Sequence, residues 1–143
     1  IFLKILLILL FTQIVLGAFV SGLDAGRIYQ TWPLMNGSYF PDDILLSDFF
    51  NFNLPSFVQF FHRNLAYLIF IISIYIGFVI FKKKELNLYK NFIVYFLFII
   101  AQVVLGVLVL ISGASIYLAS MHQISSILLI VAAINLYYHA ISS

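Results

Sequence analysis

The sequence predicts an all-α membrane protein, a four-helix transmembrane bundle, and three observations carry that prediction. Of 143 residues, 64% are apolar and only 8% charged, where soluble domains carry about 25% charged residues. Four apolar runs each reach the roughly 20 helical residues that cross a hydrocarbon core. These runs are continuous, and a spanning segment that must satisfy its own backbone groups is then a helix, not a barrel strand. The net charge of +2 is small and its cations are localised, which excludes a nucleic-acid partner. The absence of cysteine excludes disulfides, thiolate zinc sites and cysteine-held iron–sulfur clusters.

The first span covers residues 2–20 and carries Lys4 at its start. The chain opens on Ile1 with an apolar run already under way and no complete signal-peptide pattern, so a fragment of a longer protein is expected. A long connection over 22–57 follows, with Pro33, Pro41, Pro55 and the aspartates Asp24, Asp42, Asp43 and Asp48. Within it, Asn36-Gly-Ser38 matches a glycosylation acceptor, although Asn-Gly is also a turn signal. Asp24 and Arg27, three apart, are a candidate ion pair. The second span covers 60–81 and ends in Lys82, Lys83 and Lys84, with Lys90 just beyond. The third covers 92–112, a tight turn forms around Gly113, and the fourth covers 116–138. The lysine loop 82–90 marks the cytoplasmic or matrix side by the positive-inside rule. The long acidic loop and the Gly113 turn then face outward.

With that orientation, spans two and four are parallel, and each places a histidine just inside its outer end. These are His62, in Gln59-Phe-Phe-His62-Arg63, and His122, in Ser120-Met-His122-Gln123. His139 lies 17 residues (139 − 122) past His122, about 25 Å along the same helix. It is an interfacial residue of the inner end and not part of their site. A histidine at membrane depth is costly and normally has a partner, and two at one depth suggest a shared ligand.

An internal repeat supports the pairing. Gln13-Ile-Val-Leu-Gly17-Ala-Phe-Val20 in span one recurs as Gln102-Val-Val-Leu-Gly106-Val-Leu-Val109 in span three, at an offset of 89 (102 − 13). Each copy is followed by Ser-Gly, a connection and a histidine helix, so the chain reads as two Gln/Gly–His helix pairs. His62, Ala66, Ile69, Ser73 and Gly77 form one helical stripe, and His122, Ser125, Ser126, Leu129 and Ala133 another. Such small-residue stripes suit close helix packing, and equally leave room beside a histidine for a flat macrocycle.

Two imidazoles facing each other from a helical bundle are the donor set of a bis-histidine haem. Non-haem metals need further ligands, and no third histidine or membrane-depth carboxylate is at hand. The plainer alternative is that each histidine only hydrogen-bonds a neighbouring helix. Arg63 can pair with haem propionates or reach lipid phosphates. Gln59 and Gln123 can orient imidazoles or carboxylates.

The run Gly17-Ala-Phe-Val-Ser-Gly-Leu-Asp24-Ala-Gly-Arg27-Ile-Tyr-Gln-Thr-Trp32-Pro33-Leu-Met35-Asn-Gly37 resembles the second half of haem A synthase of the mitochondrial and alphaproteobacterial type. So do Gln59-Phe-Phe-His62-Arg63-Asn-Leu-Ala66-Tyr67, Gln102-Val-Val-Leu-Gly106 and Met121-His122-Gln123. The resemblance implies half of a pseudo-symmetric eight-helix enzyme that oxidises the C8 methyl of haem O to the formyl group of haem A, for cytochrome oxidase. In such an enzyme the first half is associated with the substrate haem and carries Glu-x-x-His-Arg; the second is associated with a haem b cofactor. Here Gln59 stands where that glutamate would be, and an amide does not shuttle protons as a carboxylate does. The resemblance therefore implies that His62 and His122 ligate haem b, with no catalytic residue in this half.

It also implies a bacterial inner or mitochondrial inner membrane, haem O bound in the absent half, and haem O synthase and an electron donor as partners. Assembly into a homo-oligomer is compatible with it. By itself, this chain is expected not to make haem A. Two other readings compete: a self-contained bis-histidine cytochrome b for electron transfer, and a cofactor-free membrane scaffold or transporter bundle.

Overall fold

The computed structural model describes residues 1–45 and 51–142. Asp48, one of the four loop aspartates, lies outside the described residues. The elements run in the order α1 (Phe2–Gly22), a 3₁₀ turn (Ala25–Arg27), α2 (Pro55–Lys82), α3 (Leu86–Ile111) and α4 (Ile116–Ser142). Among the described residues there is no strand, only a bridge between Met35 and Ser38. All four α-helices are long and apolar enough to cross a membrane, and the chain is an integral membrane protein.

The helices exceed the apolar runs for local reasons. α2 starts at Pro55, where a fixed φ and a missing N–H suit the first helical position. Leu54 before it is extended, with φ −89° and ψ 112°, as a residue preceding proline prefers. α3 starts at Leu86, so Lys90 falls inside the helix, where its long stem can lie along apolar surface while the ammonium stays in the interface. α4 runs on to Ser142, placing His139 in its last turn. The α3–α4 turn uses left-handed residues at Gly113 (φ 71°) and Ala114 (φ 60°). The Ala114 N–H donates to Val109 O at 2.9 Å, which satisfies a terminal carbonyl of α3.

Packing follows the helix pairs. α1 lies mainly on α2, and α3 mainly on α4. Where the pairs meet, Leu6, Ile69, Tyr95, Ile99, Ala133 and Leu136 are buried in one core. The α2–α3 seam is tight: a Cβ added at Gly77 would lie 2.4 Å from Phe92 Cζ. Small residues permit such approach between membrane helices, where no water drives association. Ser73 Oγ and Tyr95 Oη hydrogen-bond across the seam at 2.6 Å, so neither hydroxyl is stranded in an apolar interior. Large apolar side chains such as Ile8, Ile71, Phe78 and Ile127 point outward, as a lipid-facing surface requires.

A second, smaller cluster of Ile44, Phe57 and Val58 packs with Val20, Leu23 and Phe61 at the loop-bearing end of the bundle. It anchors the long connection over that end. The connection reaches the second helix pair as well, since Gly26 faces Ala114 and Gln30 faces Gly113. Asn36 (φ 58°) turns the chain between Met35 and Ser38, the turn that Asn-Gly signals.

Candidate functional site

The site is built from one unit used twice. On α1, Gln13 and Gly17 are four residues apart and share a helix face. That face meets His62 of α2. Gln13 Nε2 donates to His62 O at 3.0 Å and lies 3.3 Å from His62 Nε2. A Cβ at Gly17 would stand 3.3 Å from His62 Cε1. The imidazole sits so close to the helix that a side chain at position 17 would crowd it.

α3 and α4 repeat the arrangement. Gln102 Nε2 donates to His122 O at 3.1 Å, and a Cβ at Gly106 would stand 3.3 Å from His122 Cε1. His62 lies seven residues into α2 (62 − 55) and His122 six into α4 (122 − 116). At about 1.5 Å per residue the two rings sit at nearly the same height above their helix starts.

The other predicted residues separate. Arg63 reaches the long loop: its two terminal nitrogens donate to Thr31 O at 3.0 Å and Tyr29 O at 2.7 Å. Gln59, buried, donates from Nε2 to the same Tyr29 O at 3.0 Å. These two side chains fasten the loop over the histidine end of α2. Gln123 is exposed, and its carbonyl accepts from Ser126 Oγ at 2.6 Å. Asp24 and Arg27 meet through the backbone, where the Arg27 N–H donates to Asp24 O at 3.0 Å.

The loop carries a polar cluster that local sequence does not reveal. Buried Tyr29 donates to Asp42 at 2.5 Å and lies 2.8 Å from an Asp43 oxygen, while Ser56 at the start of α2 donates to Asp43. Burial, and after it hydrogen bonds to the two aspartates, pushes the Tyr29 phenol above the ordinary tyrosine range. The only local signal was a pair of adjacent aspartates beside proline in an apolar chain. Tyr39 similarly donates to Asn64 of α2. Tyr67 is a further residue that the motifs leave unassigned; its hydroxyl is buried without a hydrogen-bond partner.

The donor set limits what the histidines can hold. Among the described residues, no group of three His, Cys, Asp or Glu is placed to bind a metal ion. Two imidazoles are too few for a bare ion, which takes about four or more donors. They suffice for haem iron, whose macrocycle supplies the remaining donors. His62 Nδ1 and His122 Nδ1 are both buried without a hydrogen-bond partner, which leaves Nε2 as the nitrogen through which either ring would meet iron. The residues present fit a bis-histidine haem.

The family described as cytochrome oxidase assembly protein, COX15-CtaA, matches residues 1–134. The chain belongs to this family. Among curated relatives, the haem A synthase of Pelagibacter ubique is 46% identical over 132 residues, 90% of this chain and 39% of that protein. The haem A synthase of Bartonella tribocorum is 38% identical over 134 residues, 90% of this chain and 37% of its own length. That of Rickettsia africae is 37% identical over 142 residues, 96% and 42% respectively. The chain thus spans about two fifths of the length of these relatives. No solved structure matches it.

Proposed function

We propose that this chain is the cofactor half of a haem A synthase, with His62 and His122 as the axial ligands of a haem b. The observation that carries the reading is the duplicated unit, in which a Gln/Gly face seats a histidine at matched height on two helices. A chain that only packed helices would have little reason to seat a histidine, a costly residue at membrane depth, on a Gln/Gly face twice. Bound there, haem b would supply one-electron chemistry for oxidation of the haem O C8 methyl to a formyl group in the remaining part of the enzyme.

The chain's own residues hold and shield. His62 and His122 would offer Nε2 lone pairs, and Gly17 and Gly106 keep space for both rings. Gln59 holds the loop through Tyr29 O, and its amide offers no exchangeable carboxyl proton, which suits a cofactor site better than a substrate site. Arg63 and Gln59 together close the loop over this end, limiting water. The lysine loop lies on the cytoplasmic or matrix side, in a bacterial or mitochondrial inner membrane. Haem O synthase and an electron donor are the partners this role requires.

Co-expression tests it. Supplied with a four-helix segment of a relative carrying Glu-x-x-His-Arg, the chain should yield haem A from haem O, and His62→Ala should abolish the product. Mixed alone with haem O, a reductant and oxygen, it should yield none. Haem A from the chain alone, or product unaffected by the substitution, would contradict the assignment.

A further inference from the structure

The two units differ in one contact, and that contact concerns the protonation pattern of a ring. Gln13 Nε2 lies 3.0 Å from His62 O and 3.3 Å from His62 Nε2. A carbonyl accepts and never donates, so the Gln13 atom facing His62 O must be the amide nitrogen; the network fixes which way this amide points. The same NH₂ group then presents its second hydrogen to His62 Nε2. A ring nitrogen that accepts a hydrogen bond carries a lone pair, which leaves the imidazole proton on Nδ1. In the second unit the amide is used differently. Gln102 Nε2 bonds His122 O at 3.1 Å and Ser125 Oγ at 2.5 Å, and both hydrogens are committed away from the ring.

The cause is a single position. Ser125 is three residues past His122, and the equivalent place after His62 is Leu65. A leucine cannot compete for the amide, so Gln13 turns to the imidazole; a serine can, and Gln102 does not.

We propose that Gln13 is a positioning residue that sets the His62 tautomer, with the lone pair on Nε2 and the proton on Nδ1, while Gln102 leaves the His122 ring unset. This is the form in which an imidazole ligates iron through Nε2. Its consequence for haem rests on the function proposed above, but the tautomer itself does not. Haem-free His62 would already hold the ligating tautomer, and Gln13 would give up its contact with Nε2 as iron binds there.

The test is nitrogen NMR of the haem-free full chain in lipid nanodiscs, labelled with ¹⁵N-histidine and assigned with His122→Gln and His139→Gln. At a pH where the rings are neutral, His62 should show a protonated Nδ1 and a lone-pair Nε2. Gln13→Met should lower the ratio of the two tautomers about fivefold, the size of one lost neutral hydrogen bond. Gln102→Met should leave the His122 pattern unchanged. A wild-type His62 carrying its proton on Nε2 overturns the proposal without any variant having to fold, and so does a Gln13→Met spectrum identical to wild type. Haem binding is read separately from the absorption spectrum of the loaded chain. Loss of the haem reading therefore leaves the tautomer assignment standing, and the reverse also holds.

Discussion

In the first helix pair, Gln13 and His62 are 49 residues apart; in the second, Gln102 and His122 are separated by 20. The first connection is a long loop with its own apolar cluster and its own polar ties. The second is a turn built on Gly113 and Ala114. Despite this, glutamine, glycine and histidine meet in nearly the same way in both pairs. The unit is therefore set by helix faces, where residues four apart stack, and not by the connection. The long loop adds something the unit does not need: a cover over one end, held by Gln59 and Arg63 of the first pair.

The strongest way to break this equivalence is to fill the ring space. Gly17→Leu and Gly106→Leu should each displace an imidazole, since even a Cβ would stand 3.3 Å from the ring. Each overpacking should destabilise the chain by about 1–3 kcal/mol, and both should prevent haem binding in a spectroscopic titration. If one variant bound haem like wild type, the two units would not be equivalent.

Releasing the cover should separate the pairs. Arg63→Ala removes two hydrogen bonds from a guanidinium, and bonds to charged groups contribute about 1.5–3 kcal/mol each. Limited proteolysis should then cut the long loop more than about tenfold faster, while the Gly113 turn stays as resistant as before. Equal cleavage of variant and wild type would mean that Arg63 does not hold the loop.

The Tyr29 cluster gives the long loop of the first pair a pH dependence of its own. Its phenol is raised above the ordinary range, and a group raised on folding contributes stability below its unfolded value, about 10 for tyrosine. That contribution is lost as pH rises through the folded value. Loop protection should therefore persist to about pH 10 and fall above it. Tyr29→Phe should remove one late-ionising tyrosine from an ultraviolet titration; its ionising together with exposed tyrosines would contradict the buried contact.

The smallest effect sharpens the comparison most. Exchanging the side chains at the two equivalent positions, Leu65→Ser and Ser125→Leu, should transfer the glutamine–ring contact from His62 to His122. The tautomer ratio should change by about fivefold at each ring, with little change in stability.

Much of this was legible in the sequence, for physical reasons. Apolar runs of membrane length, a Gln–Gly repeat and two histidines were local patterns, and helical periodicity turns such patterns into faces. What was not legible was long-range. The reach of Arg63 to the Tyr29 and Thr31 carbonyls depends on where a proline-rich loop returns, which no periodicity fixes. The Tyr29–Asp42–Asp43–Ser56 ties have the same origin. Helix starts at Pro55 and Leu86 fell outside the apolar runs because capping geometry and interfacial side chains, not hydropathy, end these helices.

The absorption spectrum of the purified chain loaded with haem b tests the central claim most directly. Wild type should show a low-spin, six-coordinate spectrum, and His62→Ala and His122→Ala should each abolish it. No Soret band on loading the wild type, or a low-spin spectrum unchanged in both variants, would contradict the assignment of His62 and His122 as a haem-binding pair.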